Sequence, residues 1–271
     1  MSATTFPAAL AVPHRSLQRT LAIYAKEAKY ELLKNLRIPV YAISTVAFPL
    51  MFYVLFGIVL GRSDAGSAER ATYALATMGC FGVMAVALFG FGVSLAMERG
   101  QGWLQVKRAS PMPVSAYFGA KLFSAVVFST AIMLLLLTVG VLFGGVRLPI
   151  GTAATLVAIL VAGSIPFSAM GLAIGYFAKP NSAPAVVNLI YLPMSFCSGL
   201  WIPLFLLPHG LQTLAKFLPP FHLSQLALNA VGLGTNPTPA WGHVEALLAF
   251  TLICLGVAAW GYRRDEGKTY G

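Results

Sequence analysis

Carboxylates are scarce in this chain. Its 271 residues include only eight Asp and Glu, and Lys, Arg, Asp and Glu together make up 10%. A soluble domain carries about 25% charged residues. With 58% hydrophobic residues and a mean hydropathy of +0.79, no globular core could hide the apolar surface, so the solvent must be lipid. Cysteine is also sparse. Cys80, Cys197 and Cys254 all lie inside apolar runs at no motif spacing, which fits small buried hydrophobes rather than a disulfide or metal framework. Residues 1–16 contain no compact apolar stretch of a cleavable signal, so the first apolar run is expected to serve as an uncleaved insertion signal.

These absences bear on function. No Asp or Glu falls at depth in an apolar run: Glu98 closes one run and Glu245 sits in the first turn of another. An ion-driven carrier usually holds an ionisable group near the membrane midplane. This chain has little such machinery, although sodium on backbone carbonyls stays open. Lys121 is close enough to the end of its run to snorkel. The tail around Gly267-Lys268-Thr269 is similar to a phosphate-binding loop. However, five residues rather than four separate it from Gly261, and it follows an apolar run instead of a strand. His209, His222 and His243 are expected on the outer side, with no HExxH or Cys/His spacing to fix a metal. No catalytic residue, metal site or bound cofactor is therefore expected in this chain.

What the sequence has in abundance is long apolar runs. Six reach about 20 residues, the length that crosses a bilayer: Ile38 to Leu60, Thr72 to Met97, Ser115 to Phe143, Leu148 to Ala178, Pro184 to Leu207, and Trp241 to Tyr262. Pro49, Pro166 and Pro193 are expected to kink the first, fourth and fifth. Gly57/Gly61, Gly140/Gly144 and Gly171/Gly175 permit close helix contacts. Residues 208–234 are amphipathic and broken at Pro219-Pro220, each half too short to span, so a re-entrant or interfacial hairpin is expected there. Before the first run, residues 16–37 place Leu17, Leu21, Tyr24, Ala28, Leu32 and Leu36 on one helical face, as in an interfacial helix along the inner leaflet.

The net charge of +10 is carried between apolar runs, which points to a membrane surface and not to nucleic acid. With the N-terminus inside, fourteen of the 18 Lys and Arg lie on inner segments, and Arg62, Arg70, Arg147 and Lys216 lie outside. Both termini are then cytoplasmic. The chain reads as a transport body without an engine, in need of an energy-supplying partner on the inner face.

The stretch from residue 97 to 121, MERGQGWLQVKRASPMPVSAYFGAK, interrupts the apolar pattern. Gly102 permits a sharp reorientation, Gln101 through Arg108 can form about two helical turns, and Pro111 and Pro113 stop them. Trp103, Leu104 and Val106 make an apolar knob beside Lys107 and Arg108. The residues alone fit a partner's groove and a plain interfacial loop with a headgroup-level tryptophan equally well.

The ordered set resembles the ABC-2 type exporter permeases along nearly the whole chain. Its features are ERGQGWLQVKRASPMP at residues 98–113, the amphipathic leading helix, the six runs, and SGLWIPLFLLPHGLQTLAKFLPPFHL before the last run. The resemblance implies an all-α integral membrane protein of the cell (inner) membrane, one transmembrane domain over 1–271. It has six spans, an interfacial helix at 16–37, a cytoplasmic coupling helix at 98–113 and an outer re-entrant segment at 208–234. It implies two membrane subunits on two separate ATPase subunits, which hold the ATP and Mg. It assigns contact with the ATPase subunit to Glu98, Arg99, Gly102, Trp103, Leu104, Lys107, Arg108 and Pro111, with a minor contact through Glu27, Glu31 and Lys34. It places the cargo path between the two copies, where Tyr41, Phe52, Asn188, Tyr191 and Ser195 are the candidates. No aromatic belt of the kind that suits long polysaccharides is identifiable, so a small amphipathic compound, drug or lipid is the expected cargo. An ion-coupled carrier, an intramembrane enzyme built on the outer histidines, and a non-transporting anchor or sensor are the rival readings.

Overall fold

The computed structural model describes residues 17–60, 66–110, 112–234 and 238–266. Among them every regular element is helical. The segments carrying Arg15, Arg62, Pro111 and the Gly267-Lys268 tail lie outside the described residues.

Helix α1 (Leu17–Leu36) leads to α2 (Pro39–Phe52), with Pro39 in its first turn, where a missing N–H costs nothing. After Pro49 the ladder widens into a π-helical stretch, Tyr53–Val59, consistent with the hydrogen bond that an interior proline removes. Pro49 nestles against Gly82, where an added Cβ would stand 3.0 Å from the proline ring. Next come α3 (Ser67–Ala87), a second π-helical stretch (Leu88–Val93) and α4 (Ser94–Gly100), which form one continuous rod. Nearly all of α3 from Ala71 onward is buried, as expected of a helix apolar on every face. It is the core around which the others pack.

A short helix, α5 (Trp103–Ala109), precedes the 30-residue α6 (Val114–Phe143). The fourth apolar run is two helices, α7 (Ile150–Ala162) and α8 (Ser164–Phe177), broken at Gly163 against the Leu223 side chain. Helix α9 (Ala183–Cys197) is followed by a 3₁₀ turn (Leu204–Leu206), α10 (His209–Ala215), α11 (Pro219–Ala230) and the long α12 (Ala240–Glu266).

Five of these units are long and apolar enough to cross a membrane: Tyr41–Val59, Ser67–Gly100, Val114–Phe143, Ile150–Phe177 and Ala240–Asp265. The fifth expected run, Pro184 to Leu207, is not one long helix. Helix α9 ends at Cys197, and Gly199 turns the chain with φ +78°. Its 15 residues reach about 22 Å, short of the ~30 Å hydrocarbon core.

Two packing relations orient the bundle. Tyr176 and Phe177, at the end of α8, meet Tyr262 and Trp260, near the end of α12, with ring centroids 5.9 and 5.3 Å apart. These helices therefore finish side by side. Gly171 and Gly175 of α8 lie against the second π-helical stretch and Leu95, and an added Cβ at Gly171 would stand 3.0 Å from the Ala87 carbonyl. Here the small-residue spacing does serve a close approach.

Candidate functional site

The ends of α4, α8 and α12 and the start of α6 converge with α1 and α5 at one end of the bundle, and ion pairs among the described residues gather there. At its centre is Lys121, 2% exposed. Its ammonium donates to Glu31 Oε1 at 2.9 Å, Ser94 Oγ at 2.7 Å and Glu98 Oε1 at 3.1 Å. It is fully enclosed, so the snorkelling expected of it does not occur; two carboxylates supply what water would have. Lys34 bridges the same two carboxylates, at 2.7 Å from Glu31 Oε2 and 2.5 Å from Glu98 Oε1. Tyr117 donates to Glu98 Oε2 at 2.5 Å, and Asn35 donates to Ser124 Oγ at 2.9 Å. Two lysines thus neutralise two carboxylates, the four groups coming from three helices, and the remaining lone pairs are largely met by hydroxyls. A buried ion pair needs that arrangement to offset its desolvation.

The side chains' chemistry follows from this enclosure. Burial pushes the Glu31 carboxyl up, but the nearby ammonium groups of Lys121 and Lys34 outweigh it and hold it below the ordinary 4.5. Burial pulls Lys34 down, and Glu31 and Glu98 outweigh that and hold it above 10.5.

Helix α1 therefore turns a polar stripe, Tyr24, Glu31 and Asn35, toward α6, with Tyr24 Oη 2.6 Å from Ser115 Oγ. Leu17, Leu21 and Leu36 of its apolar face are exposed.

The short helix α5 begins at Gly102, whose φ of +77° supplies the reorientation expected there. Leu104 is buried among Leu95, Tyr117, Tyr176 and Ala258. Trp103 and Val106 face outward, 55% and 61% exposed. Lys107 Nζ lies 2.5 Å from Glu27 Oε1 of α1. Arg99, one turn before α5, donates to the carbonyls of Gly175, Tyr176 and Ala178, capping the end of α8, and its Nε lies 3.6 Å from Asp265 Oδ1 of α12.

Of the residues assigned to a partner groove, Trp103 is therefore on the surface, and Leu104, Glu31, Glu98, Arg99, Lys107, Glu27 and Lys34 hold the chain's own helices together. The Arg108 side chain and Pro111 lie outside the described residues. Ser94, Tyr117 and Asp265 belong to this assembly and were missed, and Lys121, expected only to snorkel, is its centre. Apart from the Ser94–Glu98 bond one helical turn away, their partners lie 19 or more residues off in the sequence, so little local marks them.

The candidate path residues divide. Phe52 and Tyr191 meet across Phe81, at 5.8 and 4.6 Å between ring centroids. Trp201 adds to the cluster at 4.8 Å from Phe52. The sequence did not reveal this aromatic cluster, because its rings come from separate elements. It reaches the surface at Phe48. Tyr41 packs edge-on against Phe128. Ser195 is buried and donates to its own helix at Tyr191, whereas Asn188 is exposed.

Of the three histidines His209, His222 and His243, the last two meet, Nδ1 to Nδ1 at 2.9 Å. No three His, Cys, Asp or Glu among the described residues converge as a metal-binding group.

Comparison with known proteins bears on this geometry. A family model described as ABC-2 type transporter matches residues 27–231, which takes in α1 from Glu27, α5 and everything through α11. A Bacillus subtilis (strain 168) protein, "Putative transport permease YvfS", is 25% identical over 248 residues, covering 90% of this chain and 98% of its own length.

Proposed function

Because the chain belongs to the ABC-2 type transporter family, we propose that it is the permease subunit of an ATP-driven exporter, worked by separate ATPase subunits that grip the open face of α5. Family membership supports a transport permease with an ATPase partner. The export direction, the cargo and the contact residues are the proposal.

One observation carries it: α5 has an anchored side and an open side. Leu104 roots it, Lys107 ties it to α1, and Trp103 and Val106 stand free. A short helix held in this way passes a push onward instead of absorbing it. Trp103 and Val106 are the direct contact, and Arg108 and Pro111, which lie outside the described residues, stay candidates from the sequence alone. Gly102, Leu104, Lys107, Glu27, Glu31, Lys34, Glu98 and Arg99 are the linkage behind. Through Arg99 a displacement of α5 reaches α8 and α12; through Glu98 and Lys121 it reaches α6 and α1. Pro49, Pro166 and Pro193 are the bending points.

The basic residues of α1, α5 and the ends of α8 and α12 support a reading in which this end, and both termini, face the cytoplasm across an inner membrane. The side-by-side ends of α8 and α12 support a reading in which the chain between them returns to the opposite face. On that reading α9, too short to span by itself, makes a sixth crossing together with the turn after it, and α10 and α11 form the outer re-entrant segment. The exposed edge of α2, with Phe48 and Met51, faces a second copy. The path lies between the copies, beside Tyr41, Phe52 and Asn188 and backed by Tyr191 and Ser195. A small amphipathic compound, drug or lipid fits the mixture of rings and amide there. ATP and Mg bind the partner.

The test is co-purification with the ATPase subunit from membranes. The double variant W103E/V106E is expected to lose the ATPase subunit and transport while keeping the thermal stability of the isolated chain. A variant that retains both capture and transport would sink the reading.

A further inference from the structure

The rod formed by α3 and α4 has the ion cluster at one end. At the other lies a cavity of about 1000 Å³, bordered by Glu69, Arg70 and Tyr73 of α3, residues on either side of α10, and His222, Gln225 and His243. That volume suits a drug-sized molecule. The transport reading makes no use of it.

The histidine pair fixes the chemistry at its wall. His222 Nε2 lies 3.0 Å from the Lys216 carbonyl, which only accepts, so the His222 proton is on Nε2. In the neutral ring Nδ1 is then an acceptor. It lies 2.9 Å from His243 Nδ1, which must therefore donate. This leaves His243 Nε2 with a lone pair. His243 is 0% exposed, and Nε2 has no hydrogen-bond partner among the described residues. Gln225, 6% exposed, lines the same cavity, and its Oε1 also lacks a partner among the described residues. Both atoms belong to residues that border one cavity, so a donor that reached them from it would meet a need the described residues leave open.

We infer that this cavity binds the head group of a neutral, hydroxyl-bearing amphiphile, with hydroxyls donating to His243 Nε2 and Gln225 Oε1. Hydroxyls fit where charged groups do not. A carboxylate or sulfate has no proton to donate to these two atoms. A quaternary ammonium likewise has no N–H to donate to them. The apolar part of the ligand has Leu204, Phe205, Phe221 and Leu233 to lie against. The site is reached without ATP or any partner subunit, so its fate is independent of the transport proposal.

The experiment uses the full chain in lipid nanodiscs and octyl glucoside with a photoreactive diazirine in its tail, below its micelle concentration. Labelled peptides are mapped, and unlabelled competitors are titrated. Labelling is expected at residues 201–233, with octyl glucoside competing at least about tenfold better than its permethylated form, octyl sulfate or octyltrimethylammonium. His243→Phe is expected to weaken competition about tenfold, whereas His209→Ala, outside the cavity wall, leaves it unchanged. Equal competition by the permethylated form, which keeps shape and acceptors but has no donors, would overturn the inference. So would label spread along the exposed apolar face of α12 at Leu252 and Ile253. If His243→Phe fails to fold, the competitor series on the unaltered chain decides the matter alone.

Discussion

Lys107 holds two elements at once: its ammonium is 2.5 Å from the Glu27 carboxylate of α1 and 4.4 Å above the Tyr117 ring at the start of α6. Tyr117 in turn donates to Glu98. The short helix is therefore linked to the buried charges by a chain of two contacts, and a force on its outer face has a defined route inward.

Reversing Lys107 to Glu should detach α5 from α1 and lower partner-stimulated ATP turnover. The charge swap E27K/K107E should recover most of the loss. A double-mutant cycle on thermal stability is expected to give a coupling of about 1 kcal/mol. A coupling near zero would mean that the pair is ornamental.

Removing the central lysine should be far more damaging. Lys121→Met leaves two carboxylates with one ammonium in a dry site, at a cost of about 3–5 kcal/mol. Adding Glu31→Gln restores the charge balance, so the double variant should be more stable than Lys121→Met alone. Denaturant titration in mixed micelles measures both. A double variant less stable than the single would refute the charge-balance account.

The same charges set a pH window. The Glu31 carboxyl is held below its ordinary 4.5, so its contribution is present above that value and is lost as acid protonates it. Lys34 is held above 10.5, so its contribution is present below that value and fades as pH rises past it. Thermal stability should therefore be flat through neutral pH and fall at both extremes. Glu31→Gln should flatten the acid limb. An unchanged acid limb in that variant would place the acid sensitivity elsewhere.

Much of this was legible in the sequence, and the exceptions have physical causes. Apolar runs reveal spans because lipid demands length, and Gly102 reveals a turn because few other residues adopt positive φ. Helix α9 was overestimated because hydropathy continues through Leu200–Leu207, whereas the backbone turns at Gly199. The apolar face of α1 was visible, but not that its polar stripe faces the protein: the Glu31–Lys121 bond spans 90 residues. Helix α5, seven residues long, is too short for periodicity to say that Leu104 turns inward and Trp103 outward.

Close packing makes a fourth test. Gly171→Val pushes a side chain against the Ala87 carbonyl and Gly92 nitrogen. Overpacking of this kind costs about 1–3 kcal/mol. Gly151→Ala, with nothing within 4 Å among the described residues, should change little. Equal effects at both sites would show that α8 does not approach the α3–α4 rod this closely.

The most direct measurement is site-specific photo-cross-linking in membranes that contain the ATPase subunit. A benzoylphenylalanine at position 103 should cross-link to that subunit, with a yield that changes on adding ATP, while the same probe at exposed Leu252 should not. A position 103 that labels only lipid, or that is reached solely by reagents outside the cell, would contradict the account.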